Sequence, residues 1–329
     1  MPGGHFGPPG GPPPRNRKPL FIALSAVAAV VIALVVVISL VSSSDDKSSS
    51  AGDAVQGYLD ALARGDATAA LSYSNDQPGS KDFLPDEILK KQIARWPISD
   101  IKILSDNSGQ AFGFAQVHVV AKFGDNVSDV TLSMKKAGKA WKLEHAAIKI
   151  DTLGSTENKA LDTLTFFGDS VGKSPVYVFP GFVDAGSSNS NVSAKLKKPY
   201  LLDALSSGSS YFNEVDFTLS DAGQSDILSA ISAQLDGCVR SNQLAPPNCP
   251  QRVRDPDAVD GTAAWGQPDT SGLKVSLFDP YHLEVLVSGD VTFPLTVGTK
   301  GGGTKTGVVR AYVSAKSDVS QSPPSVSMR

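Results

Sequence analysis

A chain of 329 residues, 41% of them hydrophobic and 19% charged, has material for more than one core, and two domains are expected. The net charge of −3 divides into +3 from Arg15, Arg17 and Lys18 within the acid-free residues 1–44, and therefore −6 for the remainder. That mildly acidic remainder argues against nucleic acid or an anionic membrane surface as the main partner, since both need clustered Lys and Arg.

Residues 1–19 open with a stretch composed mostly of Gly and Pro, Met1–Pro14. Such a composition cannot bury enough apolar surface to offset backbone ordering entropy, so a disordered tail is expected. Leu20–Val41 is then a run of 22 residues without a charge, interrupted only by Ser25 and Ser39. At 1.5 Å rise per residue it covers about 33 Å, enough for a hydrocarbon core of about 30 Å. A cleaved signal has a shorter apolar region, about 7–15 residues, and a small-residue cleavage site, which Ile38-Ser39-Leu40-Val41 does not offer. An uncleaved single-pass helix is expected. The basic residues before it and Asp45 and Asp46 after it put the N-terminus in the cytoplasm and the rest of the chain outside. Residues 42–52, rich in Ser and charge, read as a spacer.

A helix is expected from Asp53, with Val55, Tyr58, Leu59 and Leu62 recurring on one face. Gly65 ends it and Asp66 caps a second helix carrying Ala67, Ala70 and Leu71. A third begins near Pro85, with Asp86 and Glu87 at its dipole-favoured start, and stops before Pro97. Strands follow at Ile98–Ser105, Ala111–Phe123, Val127–Lys135 and Trp141–Ile150, separated by turn clusters. Ala115, Val117, Val119, Ala121 and Phe123 share one phase of the second strand, and Val130, Leu132 and Met134 one phase of the third. These faces are expected to meet the helices.

Tyr58-Leu59-Asp60-Ala61-Leu62-Ala63-Arg64-Gly65-Asp66, the order of three helices then four strands, and Gly138-Lys139-Ala140-Trp141-Lys142-Leu143 resemble the nuclear transport factor 2-like superfamily. The likeness is to small extracytoplasmic members behind a membrane anchor in actinobacteria. It implies an α+β cone over residues 53–150, in which a bent antiparallel sheet wraps the first helix. In some members the cone is an enzyme pocket and in many it is filled; the apolar phases fit a filled or a greasy one.

Residues 151–316 are expected to form a second antiparallel α+β domain, and residues 317–329 a polar, disordered tail. In the second domain, Leu161–Phe167 and Pro175–Phe179 read as a hairpin with its turn at Gly168–Gly172. Further strands are expected near Tyr211–Leu219, Lys274–Phe278, Leu283–Val297 and Val308–Ala315. One helix, Asp221–Leu235, is capped by Ser220 or Asp221 and presents Ile227, Leu228, Ile231 and Leu235 on one face.

Cys238 and Cys249 are the only cysteines, and outside the cytoplasm so close a pair is expected to form a structural disulfide. A redox motif wants two intervening residues, and a zinc site four ligands that four scattered His do not supply. Gly168-Asp169-Ser170-Val171-Gly172 matches the string of a nucleophile elbow, but no helix follows it. Gly301-Gly302-Gly303 reads as a hairpin tip, not a phosphate cradle, for the same reason. The sequons at Asn126 and Asn191 matter only in a eukaryotic source.

For acid–base work the candidates are Tyr58, Asp60, His118 and His145. His118 shares its strand phase with Gln116 and Lys122 and is expected to face solvent. His145 shares a phase with Trp141 and Leu143 and with Tyr58 could line a cone pocket. The expectation is a non-catalytic binding or scaffolding protein of the cell envelope, with no cofactor or metal. Its expected partners are other envelope or membrane proteins and the bilayer around Leu20–Val41. The alternative is a membrane-tethered small-ligand carrier or enzyme using the cone.

Overall fold

The computed structural model describes residues 3–4, 50–110, 112–151, 158–207, 209–211 and 214–328. The expected span Leu20–Val41 and nearly all of residues 1–19 and 42–49 lie outside them. Among the described residues no helix is long and apolar enough to cross a membrane.

The fold is α+β with mostly antiparallel sheets. Helix α1 (Ala51–Ala63) begins two residues before the expected Asp53, because Ser50 and Asp53 make a reciprocal cap. The Ser50 hydroxyl accepts from the Asp53 amide at 3.1 Å and the Asp53 carboxylate from the Ser50 amide at 3.2 Å. A cap of this kind stabilises a helix by about 1 kcal/mol. At the other end Gly65 takes φ +72°, a left-handed value that glycine adopts without strain. Helix α2 (Ala67–Ser72) follows, capped by Asp66, whose carboxylate accepts from the Ala69 amide at 2.8 Å. Helix α3 (Asp86–Arg95) starts after Pro85 and ends before Pro97.

Strands β1 (Ile98–Asp106), β2 (Phe114–Phe123), β3 (Asn126–Ala137) and β4 (Ala140–Leu143) form a four-stranded antiparallel meander. Helix α1 packs on β1, β2 and β4. Val55, Tyr58, Leu59 and Leu62 are buried, as are all five residues of the expected phase of β2 and Leu132 and Met134 of β3.

Trp141–Ile150, expected as one strand, is two. The chain leaves the meander after Leu143, and β5 (Ile148–Asp151) instead pairs antiparallel with β8 (Val176–Val178) and parallel with β11 (Ser210–Tyr211). The first core therefore does not close at residue 150: Phe166, Val178, Phe179, Leu202 and Val215 belong to it. The hairpin expected between Leu161–Phe167 and Pro175–Phe179 does not form either. Strand β6 (Leu164–Phe166) pairs with β7 (Asp169–Ser170) through a two-residue turn at Phe167 and Gly168, φ 54° and 92°, and on its other side with β9 (Ala185–Ser187). Both turn residues having positive φ suits the right-handed twist of a tight hairpin.

Strand β10 (Val192–Leu196) pairs with β12 (Val215–Leu219), and α4 (Leu202–Ser206) lies between them in the chain. Helix α5 (Asp221–Val239) has Ser220 as its cap and buries Gly223, Ile227, Ile231, Leu235 and Cys238, with Leu228 only partly covered. It covers a sheet of order β13 (Ala264–Trp265), β15 (Glu284–Gly298), β16 (Thr304–Asp318), β17 (Ser325–Met328), with β14 (Lys274–Asp279) also on β15. Phe217 packs against both hydrophobic cores, and Ser50–Arg329 forms one compact unit.

The expected tail 317–329 is structured over most of its length. Ser317 and Val319 are fully buried, and β17 pairs with Ala315–Asp318 of β16. Asn189 and Asn191 hold this segment by donating to the Val319 carbonyl at 2.8 and 3.3 Å. Asn191 is itself fully buried, which closes its sequon to glycosylation in the folded chain.

Candidate functional site

Tyr58 does not line the cavity at His145. Tyr58 is fully buried on α1, and its hydroxyl donates to the Ala146 carbonyl at 2.7 Å. Burial pushes that hydroxyl well above the ordinary tyrosine range, so it serves as a neutral donor. Asp60, one turn from Gln56, accepts from its amide at 2.9 Å.

His145 lies in the connection from β4 to β5 and has the carboxylate partner that the sequence did not reveal. Its Nδ1 stands 2.9 Å from Asp76 Oδ2, with 30% of the imidazole side chain exposed. The two are 69 positions apart and are brought together because the Leu143 amide donates to the Tyr73 carbonyl at 2.8 Å, zipping the end of β4 to the loop after α2. Asp76, His145, Lys149 and Tyr177 line a cavity of about 50 Å³. That volume takes a water or two, against roughly 300 Å³ or more for an organic ligand. Ser74, the nearest hydroxyl in sequence, donates to the carbonyls of Asp76 at 2.8 Å and Glu144 at 3.2 Å, so it is not held by the imidazole as a nucleophile.

The other two described histidines are also paired with aspartates. His118, on the outer face of β2, meets Asp129 of β3 at 2.6 Å, and His282 meets Asp279 at 2.6 Å in the turn before β15. Among the described residues no group of three His, Cys, Asp or Glu side chains could hold a metal ion. Ser170, within the G-x-S-x-G string, sits exposed on β7. A larger groove of about 580 Å³ lies between α2 and the start of α3, open to solvent and lined by Thr68, Leu71, Lys81, Leu84 and Glu87 among others. Asp86 at its edge is engaged by the Ala67 amide at 2.9 Å.

Cys238 and Cys249 are joined in a disulfide that ties the last turn of α5 to the loop beyond it, and no described cysteine is free. Buried Gln251 donates to the Cys238 carbonyl at 3.3 Å and braces the same corner.

The feature the sequence did not suggest is an open strand edge. Strand β16 pairs with β15 along its whole length, Glu284 opposite Asp318 through Gly298 opposite Thr304. On its other side β17 covers only Ala315–Asp318. Thr304–Ser314 therefore presents an edge with no strand partner among the described residues. Val308, Arg310 and Tyr312 are exposed along it. Lys305 is tied to Asp255 at 2.5 Å and Lys316 to Glu284 at 2.7 Å, whereas Arg310 has no ion pair among the described residues. No family model, no curated protein and no solved structure matches the chain.

Proposed function

We propose that the chain is a membrane-anchored, extracytoplasmic binding or scaffolding protein of a cell envelope, without a reaction of its own. Leu20–Val41 is the anchor, residues 1–19 lie in the cytoplasm, and Ser50–Arg329 works outside as the binding part. Two features support this side of the membrane: the basic flank of the apolar run and the disulfide, since such bonds persist in oxidising compartments. The three-helix, four-strand order of residues 51–143 supports the likeness to nuclear transport factor 2-like domains, with a cone filled by its own side chains around Tyr58.

The observation that carries the binding role is the open edge of β16. A row of unpaired backbone donors and acceptors is a template for a further strand, and proteins that do not use such an edge usually cover it or load it with charge. Here Arg310, which has no ion pair among the described residues, stands between the exposed Val308 and Tyr312. The partner is an extended segment of another envelope or membrane protein, added as a strand.

The test is p-benzoylphenylalanine at Tyr312 in cells, irradiated before the membranes are isolated. One discrete crosslinked species is expected, lost when Val308→Lys places a second charge on the edge. Absence of any adduct, or an adduct indifferent to Val308→Lys, sinks the edge as the binding site. Topology is read separately: protease added to spheroplasts removes a C-terminal epitope and spares an N-terminal one.

A further inference from the structure

The end of the first sheet at which the chain enters the folded unit has an unusual surface. β1 ends there, β2 starts, β3 ends and β4 starts, so the β1–β2 loop and the β3–β4 turn lie side by side. The Lys136 amide donates to the Gly113 carbonyl at 2.8 Å, joining the two. From the first loop Phe112 projects with its side chain fully exposed, and Phe114 beside it is 69% exposed. From the second come Lys135, Lys136 and Lys139, all exposed. The Lys135 ammonium lies 5.6 Å from the Phe114 ring centre. No carboxylate pairs with any of the three lysines among the described residues.

Among the described residues, Asp106 and Asp53, the acids bonded to the start of α1 at this end, are engaged elsewhere. Asp106 accepts from the Gly52 amide at 2.7 Å and the Ser108 amide at 2.7 Å, and Asp53 belongs to the α1 cap. Two bare aromatic rings rimmed by unpaired lysines form the amphipathic combination of a membrane interface: rings enter the headgroup layer and ammonium groups meet anionic phosphates. The net acidity of the outer part conceals this cluster, because charge summed over the chain says nothing of its placement.

The point of chain entry chooses the occupant. The Ala51 amide donates to the Ser108 hydroxyl at 3.1 Å, so the first turn of α1 is bonded to the very loop that carries Phe112. Between Val41 and Ser50 the sequence has eight residues. Fully extended they reach at most about 29 Å, so this end cannot stray far from a bilayer that holds Leu20–Val41. We propose that Phe112 and Phe114, with Lys135, Lys136 and Lys139, seat on the anionic headgroup layer of the bilayer and set the orientation of the folded unit above it. This rests on the anchor reading. It turns the far parts of the unit, rather than this end, toward partners.

The experiment uses the full chain carrying Phe112→Trp in nanodiscs of phosphatidylcholine alone and with about one-third phosphatidylglycerol, with and without bromines on the acyl chains. Emission of the parent protein, from Trp96, Trp141 and Trp265, is subtracted. In anionic discs the added emission falls about twofold or more on brominated lipid, as expected for a ring at the acyl boundary. The loss shrinks in phosphatidylcholine alone and in Lys135→Glu/Lys136→Glu/Lys139→Glu, whose unchanged melting temperature shows it still folds. Co-elution with the discs but equal emission on brominated and plain anionic lipid overturns the proposal and leaves the anchor standing. Elution apart from the discs overturns both. A blue shift without quenching, which marks a second copy covering the rings, also overturns it.

Discussion

The Tyr58 hydroxyl donates to the carbonyl of Ala146 across 88 positions of sequence, at 2.7 Å and out of contact with solvent. This bond ties the middle of α1 to the connection where the chain leaves the first sheet, one residue beyond His145. Tyr58→Phe keeps the ring and removes the donor, leaving a buried carbonyl without this partner. The expected loss is about 1–3 kcal/mol of unfolding free energy, read from a shifted denaturant midpoint at unchanged slope. Tyr58→Ala also empties the ring volume and is expected to cost about 3–5 kcal/mol. A Tyr58→Phe variant as stable as the parent would show that the carbonyl finds another donor.

The disulfide closes a short loop after α5, Cys238 and Cys249 being 11 positions apart. By the chain-entropy argument, opening a loop of this size lowers stability by about 3 kcal/mol. Cys238→Ser/Cys249→Ser should therefore melt several degrees below the parent, and reductant should lower the parent to the same temperature. A thiol assay on the native, exported protein should find no free cysteine; two titratable thiols contradict the pairing.

Where a residue's fate depended on its near neighbours, the sequence was legible. The stripe Val55, Tyr58, Leu59, Leu62 and the alternation Ala115 to Phe123 are buried as their periods require, because one covered face is enough to impose a period. Where a fate depended on distant partners it was not. Asp76 and His145 meet only because β4 zips onto the loop after α2, which no local pattern encodes. Trp141–Ile150 reads as one strand because its composition is continuous, although Glu144–Ala147 turns the chain into a different sheet. Phe112 was hidden inside the expected strand Ala111–Phe123, which in fact starts at Phe114.

The C-terminal segment was misread for a related reason. Its Ser and Pro content resembles a solvated tail, yet an edge strand needs only alternate residues covered and a few side chains to hold its backbone. Asn191 donates to the Gln321 carbonyl at 3.1 Å and Gln234 to the Val326 carbonyl at 2.8 Å. Truncation after Ser320 removes β17 and both of these acceptors, leaving Asn191 with the Val319 carbonyl alone and Gln234 without its Val326 partner. A loss of about 2–4 kcal/mol is expected from the hydrogen bonds and apolar contacts together, seen as a lower denaturant midpoint. A true tail would leave the midpoint unmoved.

Asp106 links the start of α1 to the end of β1, and its titration predicts acid sensitivity at that junction. Partial burial pushes its carboxyl up, but donation from Ser108 and from the Gly52 amide outweighs this and holds it below its ordinary 3.8. A carboxyl with a depressed folded value contributes stability fully above its unfolded value and loses it as pH falls through the folded one. The contribution is thus intact at neutral pH and disappears below about pH 4, when a proton on the carboxyl displaces one of its donors. Asp106→Asn, which supplies an amide where two backbone amides need an acceptor, should lower the melting temperature at pH 7. It should also flatten the fall in melting temperature between about pH 5 and pH 2.5 relative to the parent. Parallel curves for the two proteins over that interval would assign the acid sensitivity to other carboxylates, such as Asp100 with Lys122 or Asp279 with His282, both of which are also held low by their partners.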